Sequence, residues 1–269
     1  MKYEPIKQFL GTLFNRQPVL RIAFYKLMNL LLLRTWHVKK VIRSWSKKQG
    51  ENAHILDAGA GFGQYSYFIS SLSKNYKITG IDILSEQIQD CNAFFSKINR
   101  NDRVQFYEYD ITQFQNPDTY NLIVSVDVME HIEDDVKVFR NFCQSLQKDG
   151  MLVISTPSDQ GGSEVHDHDD ESFIAEHVRP GYNKEELEHK LKTAGFHNIT
   201  IYYSYGKPGK LAWKLSMKYP IIMLNKSKLF FLILPFYYIF TYPVAYILNH
   251  RDVQSNHRTG TGLIAIAYK

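Results

Sequence analysis

Short apolar runs recur along this 269-residue chain and alternate with stretches of helical spacing. The runs are His54–Leu56, Tyr76–Ile81, VQFYEYDI at 104–111, YNLIVSVDV from Tyr120, LQKDGMLVISTP at 146–157, NITIYYSY at 198–205 and GLIAIAYK at 262–269. Between several of them apolar residues return every three to four positions: after Gly63, around Cys91, around Cys143, and over Asn183–Ala194. Strand-length runs separated by helical patterns predict βαβ units and a doubly wound α/β sheet. Asp149-Gly150 reads as a helix end before a buried strand. Asn183, with Glu186 at the third helical position, reads as a helix start.

The two ends of the chain follow a different pattern. A helix is expected from about Pro18, carrying Leu20, Phe24, Leu27, Leu31 and Val38, with Trp36 and Trp45 among Arg34, Lys39, Lys40 and Arg43. Its uncharged stretch, Leu27–Leu33, is far too short to span a bilayer, which takes about 20 residues. Past the sixth run, Lys210, Lys214 and Lys218 recur at four-residue spacing, and residues 229–249 run without a charge. That length would allow a span, but Pro235 and Pro243 interrupt it. The segment is therefore expected to fold back as a helical hairpin or as broken short helices. Buried packing, contact with lipid or an apolar substrate, and dimerisation are all open to it.

Charge sharpens this division. Residues 1–50 hold eleven Lys/Arg and one acid, residues 51–205 twelve and twenty-five, and residues 206–269 nine and one. An acidic middle is bracketed by two basic, apolar flanks. The expected organisation is a helical cap over 1–50 and an α/β domain over 51–269, with 207–259 an insertion within it. Basic amphipathic elements of this kind suit either packing or a membrane surface. Cys91 and Cys143 are isolated, so neither a disulfide framework nor a zinc site is expected. MKYEPIKQF has Glu and Pro where a signal peptide is apolar, so a cytoplasmic location is expected, with peripheral attachment to a membrane surface open to the basic flanks.

The candidate chemistry lies at HILDAGAGFGQYSYF, 54–68. Gly59, Gly61 and Gly63 follow a strand and open a helix, a turn that brings backbone N–H groups close to an anionic ligand. The dinucleotide fingerprint fails, because its third glycine would fall at Gln64 or Ser66. No phosphate loop of the G-x-x-x-x-G-K type occurs. Asp82 ends the second run, where a doubly wound sheet grips ribose hydroxyls.

D-A-G-A-G-F-G resembles the first motif of class I S-adenosylmethionine (SAM) methyltransferases, and YNLIVSVDVMEHIED resembles their post-strand motif, with Glu130 and His131 as its acid-histidine pair. The resemblance covers roughly 51–205 and the last eight residues. It implies a Rossmann-like, seven-stranded sheet whose last strand is antiparallel beside the sixth. It also implies SAM as cofactor, held by Asp57, Gly59, Gly61, Gly63, Asp82, Ile83, Asp110, Ile111 and Asp127. Asp57 and the glycine turn would take the methionine end, Asp82 the ribose and Asp110 the adenine.

The chain is similar to O-methyltransferases of the ubiquinone-biosynthesis type, from which the insertion departs. A small or lipid-like acceptor is expected. Were its nucleophile a hydroxyl, His131, His168 and His177 are the candidate bases. The H-D-H-D-D run at 166–170 alternates His166 and His168 with carboxylates and is open to a divalent metal or to a polar lid; the lid is the reading taken, and no metal is assigned. His177 and Arg179 either face the acceptor or brace the turn. DNA amino-methyltransferase and Pro-Cys motifs are absent, which makes nucleic acid an unexpected partner; methylation of RNA and non-catalytic SAM binding remain as alternatives. Oligomeric state is left open.

Overall fold

A computed structural model describes residues 17–161 and 178–269. Seven strands form one sheet: β1 Ala53–Ala58, β2 Tyr76–Asp82, β3 Val104–Glu108, β4 Tyr120–Val126, β5 Leu146–Pro157, β6 His197–Ser204 and β7 Gly262–Tyr268. Their order is β3-β2-β1-β4-β5-β7-β6. Strands β1 to β5 run parallel to one another, whereas β7 pairs antiparallel with both β5 and β6. The expected seven-stranded architecture is therefore observed, with β7 wedged between the fifth and sixth strands.

Both faces of the central strands are covered, which is why β1, β4 and β5 read as nearly unbroken apolar runs. On one face Leu56, Ile123, Leu152 and Leu263 pack with Phe139 and Phe142 of the helix Asp135–Ser145 and with Leu187 and Leu191 of the helix Lys184–Thr193. On the other, Ile55, Leu122, Val153 and Ile264 meet Val38, Ile42 and Trp45 of the N-terminal helices. Asn183 caps the helix Lys184–Thr193 by accepting from the N–H groups of Glu185 and Glu186. The expected helix end at Asp149-Gly150 differs. Strand β5 starts directly at Leu146, and Asp149 adopts a left-handed φ of 62° inside it. The β4–β5 register shifts between Tyr120 and Leu122, so Asp-Gly makes a bulge here and not a helix stop.

The N-terminal helix departs from expectation twice. It is two helices, α1 (Pro18–Leu31) and α2 (Leu33–Gln49), broken at extended Leu32. Helix α1 also turns a different face inward. Leu20, Leu27 and Leu30 are exposed, whereas Arg21 and Tyr25 are buried. In chain order the remaining helices are α3 (Gln64–Ile69), α4 (Ser85–Lys97), α5 (Asp135–Ser145), α6 (Lys184–Thr193), α7 (Lys207–Trp213), α8 (Tyr219–Lys226) and α9 (Leu234–Gln254).

Helices α7 to α9 form the insertion, a hairpin that leaves the sheet after β6 and returns before β7. Its first arm passes from α7 to α8 through a π-turn, Lys214–Lys218. The π-turn loosens the ladder, and the hydroxyls of Tyr237 and Tyr238 donate to the carbonyls of Leu215 and Ser216, each at 2.8 Å. A short 3₁₀ turn, Lys228–Leu232, forms the tip. Among the described residues no helix is long and apolar enough to cross a membrane.

The root of the hairpin is tied by one carboxylate. Asp252, fully buried in α9, accepts from the Tyr205 N–H at 3.2 Å and the Gly209 N–H at 3.0 Å, and meets the Nε2 atoms of His37 at 2.9 Å and His257 at 3.1 Å. One side chain thus joins α2, α7 and α9.

Candidate functional site

Three glycines carry the chain from β1 into α3, and all three have left-handed φ: 76° at Gly59, 49° at Gly61 and 72° at Gly63. A Cβ on Gly59 would lie 2.2 Å from Val128 Cγ2, so backbone here touches the loop after β4. Gly63 starts α3 and faces Cys91, Phe95 and Phe106. Gly61 is different. The nearest atom to a Cβ there is Gln87 Oε1, at 3.7 Å, and the turn is open on that side. This open cradle on a strand-to-helix turn fits a nucleotide-like group, which a side chain at 61 would displace.

The acids predicted around the cradle support it in different ways. Asp57 is buried, and its Oδ2 accepts from the N–H of Ser66 at 3.0 Å and from its hydroxyl at 2.6 Å. Burial pushes the Asp57 carboxyl up to about 7. It ties the end of β1 to α3. Asp82, at the tip of β2, accepts from the Gly61 N–H through Oδ2 at 2.9 Å and from the Leu84 N–H through Oδ1 at 3.1 Å. Ile83 beside it is 66% exposed, an apolar surface at the rim of the cradle.

Strand β3 ends at Glu108, earlier than the expected 111, because Asp110 accepts from the Thr112 N–H at 2.8 Å and closes a side-chain turn that competes with strand pairing. The N–H of Tyr109 still donates to the Asp82 carbonyl at 2.9 Å, so Asp110 stays near the tip of β2. Ile111 points into the core.

The tip of β4 forms a second centre. Asp127 has a φ of 54°, and its Oδ2 pairs with Arg34 Nη1 of α2 at 2.6 Å. The backbone N–H of Arg34 also donates to the Tyr205 hydroxyl at 3.2 Å. Tyr205 too has a φ of 54°, uncommon for a bulky residue, and such strain clusters at functional sites. These residues line a cavity of about 220 Å³, together with Thr156, Pro157, Lys210, Trp213 and Gly262. The cavity lies over the C-terminal tips of β4, β5 and β6, where ligands bind in open α/β sheets. Its floor at Asp127 is one residue from Val128, against which Gly59 packs.

Glu130 sits just behind, fully buried in a 3₁₀ turn, Met129–His131, and accepts from the Thr156 hydroxyl at 3.1 Å. Burial, with the nearby Asp127 charge, pushes its carboxyl up to about 8. His131 ends the same turn, half-buried, and is not among the described residues that line the cavity. His168, His177 and the H-D-H-D-D run lie outside the described residues. Arg179 braces the turn: its guanidinium donates to the carbonyl of Ile132 at 2.7 Å and to the carboxylate of Asp135. Tyr182 and Lys190 bind the same carboxylate at 2.7 and 2.8 Å.

Sequence reasoning missed the clamp above the glycine turn. Arg21 Nη2 donates to the Phe62 carbonyl at 2.9 Å, Arg21 Nη1 to the Asp90 carbonyl at 3.0 Å, and the Tyr25 hydroxyl also donates to Phe62. Helix α1 thereby pins the residue between Gly61 and Gly63. The available signal was an Arg and a Tyr four apart, on one face of the helix. Arg34 and Tyr205 were likewise not singled out, since neither belongs to a motif.

A profile of the methyltransferase domain family matches residues 49–200. A phosphoethanolamine N-methyltransferase of Triticum aestivum is 30% identical over 151 residues, 54% of this chain and 28% of that protein. A ubiquinone biosynthesis O-methyltransferase of Rickettsia typhi is 27% identical over 103 residues, 38% of this chain and 40% of that protein. The chain thus spans less than half the length of these relatives. In fold it is similar to a SAM-dependent methyltransferase from Mesorhizobium loti, with a TM-score of 0.55, 14% identity, and coverage of 88% of this chain and 100% of that one. Phosphoethanolamine N-methyltransferase 2 of Haemonchus contortus, solved with phosphomonomethylethanolamine and S-adenosylhomocysteine, gives a TM-score of 0.62 at 18% identity, covering 95% of this chain and 59% of that one. With more than half its length matched and the sheet, glycine turn and strand-tip acids in place, this chain belongs to the methyltransferase domain family.

Proposed function

We propose that the chain is a SAM-dependent methyltransferase acting on a hydroxyl of a small or lipid-like acceptor. The observation that carries this reading is the adjacency of two spaces: the open cradle at Gly61 and the cavity beyond Asp127. In this reading Gly59, Gly61, Gly63, Asp82, Ile83 and Asp110 hold the cofactor, and Asp57 keeps the turn in place through Ser66. SAM, when bound, supplies a methyl group made electrophilic by its sulfonium. The protein's part is to aim the acceptor oxygen at it and exclude water.

The cavity wall fits such an acceptor. Trp213 and Tyr205 offer aromatic surface to a ring or tail; Arg34 is held by Asp127, so Lys210 and Lys214 are the cations of the wall that favour an oxygen carrying negative charge. His131, on the turn behind the cavity and not in its lining, is the candidate base that the described residues leave to test. His131→Ala is expected to lower the single-turnover rate by about 10²–10⁴ with unchanged cofactor affinity; a near-normal rate would remove it from the chemistry. Relatives include both O- and N-methyltransferases, so the acceptor atom is assigned here by the cationic wall alone.

The decisive experiment supplies methyl-labelled SAM with a lipid extract, a set of phenols, amines and total RNA, and identifies the labelled product by mass spectrometry. Label on a phenolic or lipid hydroxyl supports the proposal. Label on nitrogen or RNA alone would overturn the acceptor assignment. Cofactor binding without turnover in any mixture would indicate a non-catalytic SAM-binding protein.

A further inference from the structure

The hairpin inverts the usual arrangement of a surface helix. Along α9, Phe236, Phe240, Val244 and Ile247 recur at spacings of four, four and three and are all exposed, Phe240 at 77%. The other side of α9 holds Tyr237, Tyr238, Thr241 and buried Ala245. At the tip Leu229, Phe231 and Leu232 are each at least 70% exposed, and Ile221 and Ile222 of α8 continue the patch. A contiguous apolar surface of this kind marks an interaction site.

Charge decides the partner. From Gly206 to Arg251 there is no Asp or Glu, while Lys207, Lys210, Lys214, Lys218, Lys226, Lys228 and Arg251 are present. Exposed Lys226 and Lys228 flank the tip. Residues 17–49 also lack acids, and they meet the hairpin where the rings of Trp36 and Tyr246 lie 5.1 Å apart. A second copy docked face to face, hairpin on hairpin, would set the same cations against one another, since this stretch of either copy holds no acid. An anionic bilayer supplies both hydrocarbon for the Phe and Leu side chains and fixed negative charge for the lysines.

We propose that the tip and outer face of the α8–α9 hairpin dock on an anionic lipid bilayer, entering it shallowly. Both arms return to one sheet, through Ser204 of β6 and Gly262 of β7, so the hairpin enters and leaves on the same side. The root of the hairpin lines the acceptor cavity through Lys210 and Trp213, so the element that docks also forms part of the cavity wall. Docking is nevertheless a property of the hairpin and goes beyond the methyltransferase reading, because it needs neither cofactor nor acceptor.

The test is flotation of the full chain with vesicles of phosphatidylcholine, with and without phosphatidylglycerol, at low and high salt. Binding should require the anionic lipid and weaken at least about tenfold at high salt. Phe231→Ser with Phe240→Ser removes two exposed phenyl groups; it should keep the melting temperature and lose about tenfold or more in vesicle affinity. Lys226→Glu with Lys228→Glu should lose the preference for anionic vesicles. Failure of the parent chain to float on either vesicle would overturn the proposal. So would a tip variant that floats as well as the parent. A dimer in sedimentation that the tip variant abolishes, without vesicle binding by the parent, would assign the face to self-association instead.

Discussion

At the residue scale, the three glycines of the turn have the same backbone sign and different neighbours. Any L-residue at a left-handed φ costs roughly 1–2 kcal/mol. At Gly59 the new Cβ also strikes Val128, so Gly59→Ala should lower the melting temperature and disturb the loop after β4. At Gly61 the space is open, so Gly61→Val should leave a folded protein that no longer binds S-adenosylhomocysteine in calorimetry. Retained affinity in the Gly61 variant would place the cofactor elsewhere. Glu130 gives a second residue-scale expectation. Its folded carboxyl titrates at about 8, above its ordinary value of 4.5, so between those values the unfolded chain binds fewer protons than the folded one. Stability must therefore fall as pH rises through that window, and Asp57, at about 7, acts in the same direction. Glu130→Gln cannot ionise and keeps a group able to bond Thr156. Thermal melts from pH 5 to 8 should decline less steeply for this variant than for the parent.

At the scale of elements, the root of the hairpin depends on one buried carboxylate. Asp252 serves His37 of α2, the N–H of Gly209 in α7, the N–H of Tyr205, and His257. Asp252→Ala leaves these donors without their acceptor inside the protein, and removing one member of a buried pair costs about 3–5 kcal/mol. Denaturant unfolding should show a loss of that order. A loss below about 1 kcal/mol would mean that water reaches the joint. The strands were legible because period and length announce them: apolar runs such as Leu122–Val124 and Val153–Ile154 have no competing reading once helical patterns separate them, while the antiparallel last strand came from the family resemblance. The inward face of α1 was not legible, because Leu20, Leu27 and Leu30 satisfy the same helical period as a core stripe. What turns Arg21 and Tyr25 inward is the Phe62 carbonyl of a distant turn, which no local pattern encodes. The candidate site divides in the same way. Glycines and strand-tip acids lie in contiguous motifs, whereas Arg34 and Tyr205, 171 residues apart, meet only when α2 packs against the end of β6.

At the scale of the whole molecule, stability is distributed unevenly, and the function assigned to each part follows that distribution. The sheet centre is sealed on both faces; Ile55, Leu56, Leu122, Ile123, Val124 and Val153 are inaccessible. The hairpin has its own hydrogen bonds but few inward apolar contacts, and along residues 219–247 only Pro220 and Ala245 are buried. Opening a segment costs free energy in proportion to the packing it gives up, so local unfolding should begin at the tip and stop at the Asp252 joint. Hydrogen exchange followed by mass spectrometry should show amides of 226–240 exchanging first. Those of α7 and the last turns of α9 should be intermediate, and those of β1, β4 and β5 slowest. Exchange at the tip as slow as in β4 would show that the exposed face is covered in solution. A hairpin that opens independently while its root stays fixed lets the apolar surface adapt to a partner without disturbing the cavity wall formed by Lys210, Trp213 and Tyr205.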